Sequence, residues 1–486
     1  MKKPSPLIPS HSLRPLHLYC LLAAALIYLG TEVWQCISWP PFYSFDETLE
    51  IDYVYQLTQG HLPTFWAGPE FNPLGLEYPY QVQWRYQHPP LFYLIETPIF
   101  VLFNTNTHPI IGIWAMRMVV CMLGLLLIAV SGWAARWIFG HTCVASALVP
   151  VFIASNRCLP SVVLNYTLAA LWVTLLIGMT AKILRTYPRT TRATAIAWIA
   201  IVTLAPLTRL STVPIMGLCI CIVALFLLIR CCKSLCAWTS MVAAPSLLAI
   251  LSSGWFYLRL YTLSGSFTGS QPQWSAENLH RITDKTFFEA LADPSFYISS
   301  FSQYQNSAVT TQWYGGIFVI LLTLLPLLLG GITGAHHIFS RNHRTAPNTL
   351  IAIMILLAFG GTVFQQLLFY KQGGSSNAVY FSLISIVFSV VIAYGFARRP
   401  MFHRYTAIWL FVRLAAFLIE TILKWPFAES GTMEGRSILW IVLTYCAILL
   451  VIAGTTLAII AISRNRSPNQ TVEIVQNRSN EPVIHQ

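Results

Sequence analysis

The run LSTVPIMGLCICIVALFLLIR at residues 210–230 decides the fold class, because it is apolar and carries no charge before its final arginine. An α-helix rises about 1.5 Å per residue, so about 20 such residues match the roughly 30 Å thickness of a bilayer's hydrocarbon core. Comparable windows recur along the chain, and two of them are short. The predicted spans are 16–38, 109–137, 142–157, 161–182, 193–208, 210–230, 236–262, 313–335, 349–370, 378–396, 405–423 and 437–462. The sequence therefore predicts an all-α polytopic membrane protein with about 12 transmembrane helices, in a range of about 11–13.

The composition excludes an ordinary soluble enzyme. Of the 486 residues, 56% are hydrophobic and only 9% are charged, and the mean hydropathy is +0.62. Soluble domains carry about 25% charged residues. A membrane β-barrel would instead show short segments of alternating polarity. The net charge of +12 indicates basic cytoplasmic loops and not a nucleic-acid partner, so the expected environment is the lipid bilayer.

The distribution of charge predicts the orientation. Lys2, Lys3 and Arg14 precede the first span, and most other basic residues fall in loops on that same side, so both termini are predicted to be cytoplasmic. No cleavage site follows the first apolar stretch, which favours an uncleaved first helix. The expected organisation is a cytoplasmic N-terminus (1–15), a transmembrane domain (16–462) and a disordered cytoplasmic tail (463–486). The expected location is a bacterial inner or plasma membrane.

Acidic residues gather on the opposite side, in long extracytoplasmic loops near 39–108 and 263–312. Long loops in a compact protein are usually functional, so we expect the active site on this extracytoplasmic face. Apolar positions spaced by three or four residues across 45–57 predict an amphipathic surface helix. Asp46 and Glu47 lie in its first turn, at the membrane boundary, where desolvation can bring a carboxylate towards the pKa of a general base.

Two further segments of the first loop suggest a family. Gly60-His61-Leu62-Pro63 follows the acidic pair, and Gln87-His88-Pro89-Pro90-Leu91-Phe92-Tyr93 begins a second, partly embedded helix. With Asp46-Glu47, these segments resemble the GT-C membrane glycosyltransferases, in particular the protein O-mannosyltransferase-like and lipid A aminoarabinose-transferase-like (PMT_2-type) enzymes. The ordered resemblance covers roughly residues 45–270, since the segments at 207–212, 254–259 and 265–269 also look like motifs of the family.

The resemblance implies a GT-C fold and an enzyme that transfers a hexosyl or pentosyl group. The donor would be a polyprenyl-phosphate sugar, the acceptor an extracytoplasmic lipid, glycan or protein, and the outcome inversion at the anomeric carbon. Such a displacement needs a base for the acceptor hydroxyl and donors that hold the leaving phosphate. The expected base is Asp46, with Glu47 as the alternative or as a positioning partner. The expected donor-phosphate ligands are Arg85, His88, Arg209, Arg259 and Lys371, and the expected acceptor or pocket residues are Tyr53, Glu77, Tyr93 and Trp255.

The sequence also departs from the family pattern. Asn165-Tyr166 stands where many relatives have an Asn-Asp-like pair, and residues 373–380 lack an arginine that Lys371 would have to replace. Charged residues within predicted helices should be paired, and Glu32 and Glu420 are the candidate partners of Arg117 and Arg413.

Other functions stay open at the level of sequence. A transporter or flippase of lipid-linked sugars would use the same carrier without chemistry, and a polysaccharide polymerase or ligase would differ in its donor. No cofactor is expected. A divalent ion bound by Asp46 and Glu47 is the alternative to metal-free catalysis.

Overall fold

The structure is a computed structural model that describes residues 14–42, 45–75, 81–140, 143–159, 162–281, 285–339, 345–399, 401–430 and 438–464. These residues form helices and connecting segments without a β-strand among them. The α-helices are α1 (Arg14–Ser38), α2 (Phe45–Thr58), α3 (Leu91–Leu102), α4 (Pro109–Phe139), α5 (Ala145–Ala154), α6 (Tyr166–Thr186), α7 (Arg192–Leu204), α8 (Thr212–Ile229), α9 (Leu235–Trp238), α10 (Ala244–Ser264), α11 (Pro272–Leu279), α12 (Phe287–Ala292), α13 (Pro294–Ser300), α14 (Ser307–Thr310), α15 (Gly315–Val319), α16 (Leu325–Phe339), α17 (Ala346–Lys371), α18 (Ser385–Ala397), α19 (Phe402–Ser430) and α20 (Ile438–Arg464). Short 3₁₀ segments are Trp84–Gln87, Ala205–Leu207 and Ala378–Ile384, and π-helical turns at Thr239–Ala243 and Ile320–Leu324 join α9 to α10 and α15 to α16.

Within the described residues, ten helices are long and apolar enough to cross a membrane. Each coincides with one of the twelve predicted windows, so the chain is a multi-pass membrane protein built from helices, as predicted. The two remaining windows, which were already short, correspond to the shorter apolar helices Ala145–Ala154 and Arg192–Leu207. The predicted cytoplasmic N-terminus and tail lie outside the described residues, apart from the first residues of α1 and the last of α20.

Helix α5 does not reach across the bilayer. Its ten residues span about 15 Å, half of the hydrocarbon thickness, and all of them are buried inside the bundle. The described residues between α5 and α6, 155–159 and 162–165, are not helical. Irregular backbone at this depth is tolerated only where protein surrounds it, and this stretch carries the buried side chain of Arg157.

Helices α1 and α20 pack closely along each other through small residues. A Cβ atom added at Gly30 would lie 2.6 Å from the Ala447 carbonyl oxygen, and one added at Gly454 would lie 2.7 Å from that of Ala23. Close backbone approach through small residues is typical of helix pairs in membranes, where no hydrophobic force favours helix over lipid contacts.

The two long connections predicted near 39–108 and 263–312 are present. The first leaves α1 at Ser38 and contains α2, the segment Trp84–Gln87 and α3 before α4 begins at Pro109. The second follows α10 and contains the short helices α11 to α14. Helix α3 is apolar but shorter than the candidate membrane spans, and Val101 and Leu102 on it are exposed.

Candidate functional site

Helix α2 carries the first of the predicted site residues. It begins at Phe45, so Asp46 and Glu47 lie in its first turn, where the helix dipole favours carboxylates. The Asp46 side chain is half exposed, at 52%, whereas the side chains of residues 47–54 are all buried. The helix predicted at this position is therefore present, but it differs from a one-faced surface helix because α3 and the Trp84–Gln87 segment pack against it.

Arg85 gathers the polar side chains of this region around one guanidinium group. Its Nη2 atom lies 2.5 Å from Asp46 Oδ1, and its Nε atom lies 3.4 Å from Glu50 Oε1. Its Nη1 atom is 3.5 Å from His88 Nε2, and Trp84 Nε1 donates to Asp46 Oδ1 at 3.3 Å. One buried cation thus bridges two carboxylates, which leaves this group with a net negative charge when both are ionised.

A second basic residue, Arg209, acts on Glu50 through its charge. Its Nη1 atom donates to Asn165 Oδ1 at 2.6 Å, and its Nη2 atom donates to the Tyr166 hydroxyl at 3.0 Å. Its guanidinium carbon stands 3.8 Å from the centre of the Tyr166 ring, and its charge acts on Glu50. Because both hydrogen-bond partners are neutral, they fix the orientation of Arg209 without cancelling its charge.

Two stacked tyrosines connect these groups. The rings of Tyr53 and Tyr93 lie 3.7 Å apart at an angle of 18°. The Tyr53 hydroxyl donates to the His88 carbonyl oxygen at 2.9 Å, and Asn165 Nδ2 donates to the Tyr93 hydroxyl at 3.3 Å. The structure therefore brings together six of the predicted site residues, which come from α2, the 3₁₀ segment, α3 and the turn before α8: Asp46, Tyr53, Arg85, His88, Tyr93 and Arg209.

Asp52 holds the first loop in the shape that presents Arg85. This buried carboxylate accepts hydrogen bonds from the backbone N–H groups of Glu70, at 2.6 Å, and Phe71, at 2.8 Å. It also accepts a bond from the Gln83 amide, whose oxygen in turn accepts the backbone N–H of Arg85 at 3.0 Å. A single side chain on α2 thus anchors two distant parts of the loop.

Glu47 has different partners from Asp46. Its two carboxylate oxygens accept from Arg117 Nε at 2.8 Å and from Nη2 at 2.5 Å. The backbone N–H of Val163 donates to the same carboxylate at 2.9 Å, and Arg117 also donates to the Trp39 carbonyl oxygen at 2.6 Å. Arg117 is therefore paired as expected for a charge in a helix, but its partner is the loop residue Glu47 and not Glu32 or Glu420.

These contacts bear on metal binding. Both oxygens of Glu47 are occupied by Arg117, so the acidic pair does not converge on a common point. Across the described part of the chain, no group of three or more His, Cys, Asp or Glu side chains is arranged to hold a metal ion.

Burial alters the protonation of the site. It raises the pKa of Glu50 to about 6, although Arg85 opposes the shift, and it raises the pKa of Asp52 to about 6 against four hydrogen bonds. The pKa of His88 is lowered well below its ordinary value by burial and by the charges of Arg209 and Arg85. At neutral pH, His88 is therefore a neutral hydrogen-bonding group and not a cation.

Arg259 lies at the edge of this cluster. Its Nη2 atom donates to the carbonyl oxygens of Leu62, at 3.3 Å, and Pro63, at 2.8 Å, which belong to the predicted Gly-His-Leu-Pro segment. Its charge acts on Tyr53. Arg259 therefore ties the end of α10 to the first loop next to the stacked tyrosines.

Two of the predicted residues are not part of this cluster. Lys371 ends α17, and among the described residues no hydrogen bond or ion pair joins it to Asp46 or Arg85. Trp255 is half exposed on α10, and its Nε1 atom donates to the Ser252 carbonyl oxygen of its own helix, as expected for a side chain on the outer face of the bundle. Glu77 lies outside the described residues.

The structure adds residues that the sequence analysis did not assign to the site. Glu50 follows Asp46 by four residues, so both lie on one face of α2, and this spacing was a usable signal. Asn165 and Tyr166 were noted only as a departure from the family pattern. Their contacts with Arg209 depend on a chain separation of more than forty residues, which no local pattern reveals.

No family model matches the chain, and no curated protein matches it by sequence. Several solved structures resemble it. An apo oligosaccharyltransferase from Archaeoglobus fulgidus is 13% identical with a TM-score of 0.49, over 98% of this chain and 59% of that one. The same organism's AglB, solved with an inhibitory peptide and a dolichol-phosphate, is 12% identical with a TM-score of 0.46, over 96% and 58%. Apo ArnT from Cupriavidus metallidurans is 15% identical with a TM-score of 0.42, over 91% and 76%.

The chain thus spans somewhat over half the length of the archaeal oligosaccharyltransferases.

Proposed function

We propose that this protein is a membrane glycosyltransferase that moves a sugar from a polyprenyl-phosphate carrier to an extracytoplasmic acceptor, with inversion at the anomeric carbon. The proposal rests on the ordered motifs of the first loop and on the cluster that they form around Arg85. A lipid-borne donor suits this architecture, because its tail can stay among the apolar helices while its phosphosugar reaches a polar site in the loop.

The observation that carries the proposal is the setting of Asp46. Its Oδ1 atom accepts from Arg85 and Trp84, and no contact within the described residues occupies Oδ2. The carboxylate is half exposed while its neighbours on α2 are buried. A carboxylate with one fixed and one accessible oxygen suits a general base, since positioning and accessibility are both needed for proton abstraction.

Arg209 is the best candidate for the leaving phosphate. Arg85 is buried between two carboxylates, which offset its charge, and His88 is neutral at neutral pH. Arg209 has only the neutral partners Asn165 and Tyr166 among the described residues. Arginine presents several N–H groups in a fixed plane that suits phosphate oxygens. We assign Arg85 the role of orienting Asp46, and Arg259 and Lys371 remain further candidates for phosphate contacts.

The proposed reaction is a single displacement. The acceptor hydroxyl gives its proton to Asp46 Oδ2 as its oxygen bonds to the anomeric carbon of the donor. The bond from that carbon to the phosphate oxygen breaks, and the electron pair leaves with the polyprenyl phosphate, whose negative charge is stabilised by Arg209. No covalent intermediate on the protein is needed. We assign Glu47 to structure, through Arg117, and not to catalysis.

The experiment that tests this function compares Asp46→Asn with wild type in proteoliposomes supplied with radiolabelled polyprenyl-phosphate sugars. The donor would be chosen by mass spectrometry of the lipid that co-purifies with the protein. We expect product from the wild type and a loss of at least about 100-fold for Asp46→Asn, the usual contribution of a general base. Glu70→Gln is the matched control, because Glu70 is an exposed acid of the same loop.

The same assay separates the alternatives. Unchanged transfer by Asp46→Asn would exclude this residue as the base. If the wild type forms no product but carries lipid-linked sugar from one leaflet to the other, the protein is a transporter or flippase. A long glycan as the donor would indicate a polymerase or ligase.

The sidedness is part of the proposal and has its own test. We propose that both termini are cytoplasmic and that the first loop is extracytoplasmic, in a bacterial inner or plasma membrane. A cysteine introduced at Gln59, which lies at the exposed end of α2, should react with a membrane-impermeant thiol reagent added outside intact cells. Protection of this cysteine, with reaction only after permeabilisation, would place the loop in the cytoplasm and overturn the proposal.

A further inference from the structure

A second buried charged cluster shares no residue with the site around Asp46. It joins the irregular stretch after α5 to helix α19. Arg157 donates to both carboxylate oxygens of Glu420, through Nε at 3.0 Å and through Nη2. Trp34 Nε1 donates to the same carboxylate at 3.2 Å. Both oxygens of Glu420 therefore accept from Arg157, and one of them also accepts from the tryptophan.

Arg413, two turns earlier on α19, has no carboxylate of its own in the described structure. Its Nε atom donates to the Ser155 carbonyl oxygen at 2.8 Å. Its Nη1 and Nη2 atoms are buried and have no hydrogen-bond partner among the described residues, and neither has Nη1 of Arg157. The Arg413 side chain is only 3% exposed. The charged side chains that act on it are Arg157 and Glu420.

The cluster therefore carries a surplus of positive charge. Within the described part of the chain, Arg157 and Arg413 are balanced by one carboxylate, that of Glu420, and Lys424, one turn further along α19, adds another cation that acts on Glu420 and Arg157. Arginine remains protonated in proteins, so neither of the two buried guanidinium groups can become neutral by losing a proton. Buried charges need a partner of opposite sign, above all within a membrane-embedded bundle.

We propose that Arg157 and Arg413 bind a small inorganic monoanion, for which chloride is the probe. Three nitrogen atoms without partners, on two guanidinium groups, can donate to one such ion. The surroundings favour a small ion over a lipid phosphate, because Ser155 and Phe417, which contact Arg413, are themselves buried. The ion would lock the irregular stretch after α5 to α19 and would take no part in the chemistry proposed for Asp46.

The test measures thermal unfolding of the purified full-length protein while chloride replaces gluconate at constant ionic strength. For wild type we expect a saturable rise of the unfolding midpoint of about 2 °C or more, because a ligand that binds only the folded state stabilises it. Arg413→Gln should lose this dependence. Arg185→Gln is the matched control and should keep it, because Arg185 also donates to backbone carbonyls, those of Trp137 and Ile138, but lies outside the cluster.

A second measurement keeps the proposal testable if Arg413→Gln fails to fold. Wild-type crystals grown in bromide should show an anomalous peak within hydrogen-bonding distance of the Arg157 and Arg413 guanidinium groups. A midpoint that ignores chloride, together with the absence of such a peak, overturns the proposal and leaves water as the partner. A chloride response that survives in Arg413→Gln, or lipid phosphate density at this position, overturns it as well.

Discussion

Breaking the Glu47–Arg117 pair should cost more stability than any other change in the first loop. The substitution is Glu47→Gln, which keeps the shape of the side chain but removes its charge. Both partners are at most 1% exposed, and two direct hydrogen bonds join them. Removing one member of a buried ion pair leaves the other charge uncompensated, which typically costs about 3–5 kcal/mol. We therefore expect a loss of this size for Glu47→Gln.

A double-mutant cycle isolates the interaction. The variants are Glu47→Gln, Arg117→Met and the combination of both, each compared with wild type by chemical unfolding in detergent. The combined variant buries no lone charge, so it should recover much of the loss and give a coupling energy of at least about 2 kcal/mol. Asp46→Asn should change stability much less, because the Asp46 carboxylate is half exposed and Glu50 still faces Arg85.

The outcome decides between two roles of Glu47. If Glu47→Gln unfolds like wild type while sugar transfer is abolished, Glu47 acts in catalysis and the structural assignment fails. If the combined variant regains both stability and transfer, the carboxylate at position 47 is needed only to balance Arg117.

Three further predictions concern the cluster around Arg85. Burial raises the pKa of both Glu50 and Asp52 to about 6, so the folded state favours their protonated forms and wild-type stability should fall as pH rises through about 6, with about 2 kcal/mol of the fall due to Glu50. The fall in Glu50→Gln should be smaller by this amount, because Asp52 still titrates there, and identical unfolding profiles of the two proteins between pH 4.5 and 7 would show that Glu50 does not contribute. Asp52→Ala leaves the N–H groups of Glu70 and Phe71 without their acceptor, so we expect a loss of at least about 2 kcal/mol and faster cleavage of the first loop in limited proteolysis; unchanged cleavage would mean that the loop is held by other contacts. Arg209→Lys keeps the charge but not the planar fork, so we expect a KM for the donor raised at least about 10-fold with a smaller change in kcat, and an unchanged KM would exclude Arg209 as the phosphate ligand.

The membrane-spanning helices were predictable because length and polarity alone define them. A run such as residues 210–230 has no soluble alternative, and the corresponding helix is Thr212–Ile229. The helix over residues 45–57 was also predictable in position, since its spacing is local. The burial of this helix was not predictable, because Trp84–Gln87 and α3 pack against it. Packing between segments that are distant in the chain does not alter the spacing of apolar residues within either segment.

The pairing of charges was the least predictable feature. Glu47 meets Arg117 across 70 residues of chain, and Arg157 meets Glu420 across 263. The cost of burying a charge in a membrane indicates that each should have a partner, but it does not say which one. Which partner each charge has depends on where the short helix α5 ends. Of the residues that follow it, Arg157 is placed next to Glu420, and the backbone N–H of Val163 donates to Glu47.

The close fit of α1 against α20 bears on how the protein is made. The ribosome synthesises α1 long before α20. The surface of α1 around Gly30 therefore contacts lipids or insertion factors until Ala447 and Gly454 of α20 have been synthesised. A chain truncated before α20 would leave this surface of α1 unpacked. Quality-control proteases in the membrane would then have an unpacked helix to recognise. The helix bundle can therefore close through the contact of α1 with α20 only after the last membrane-spanning helix has been synthesised.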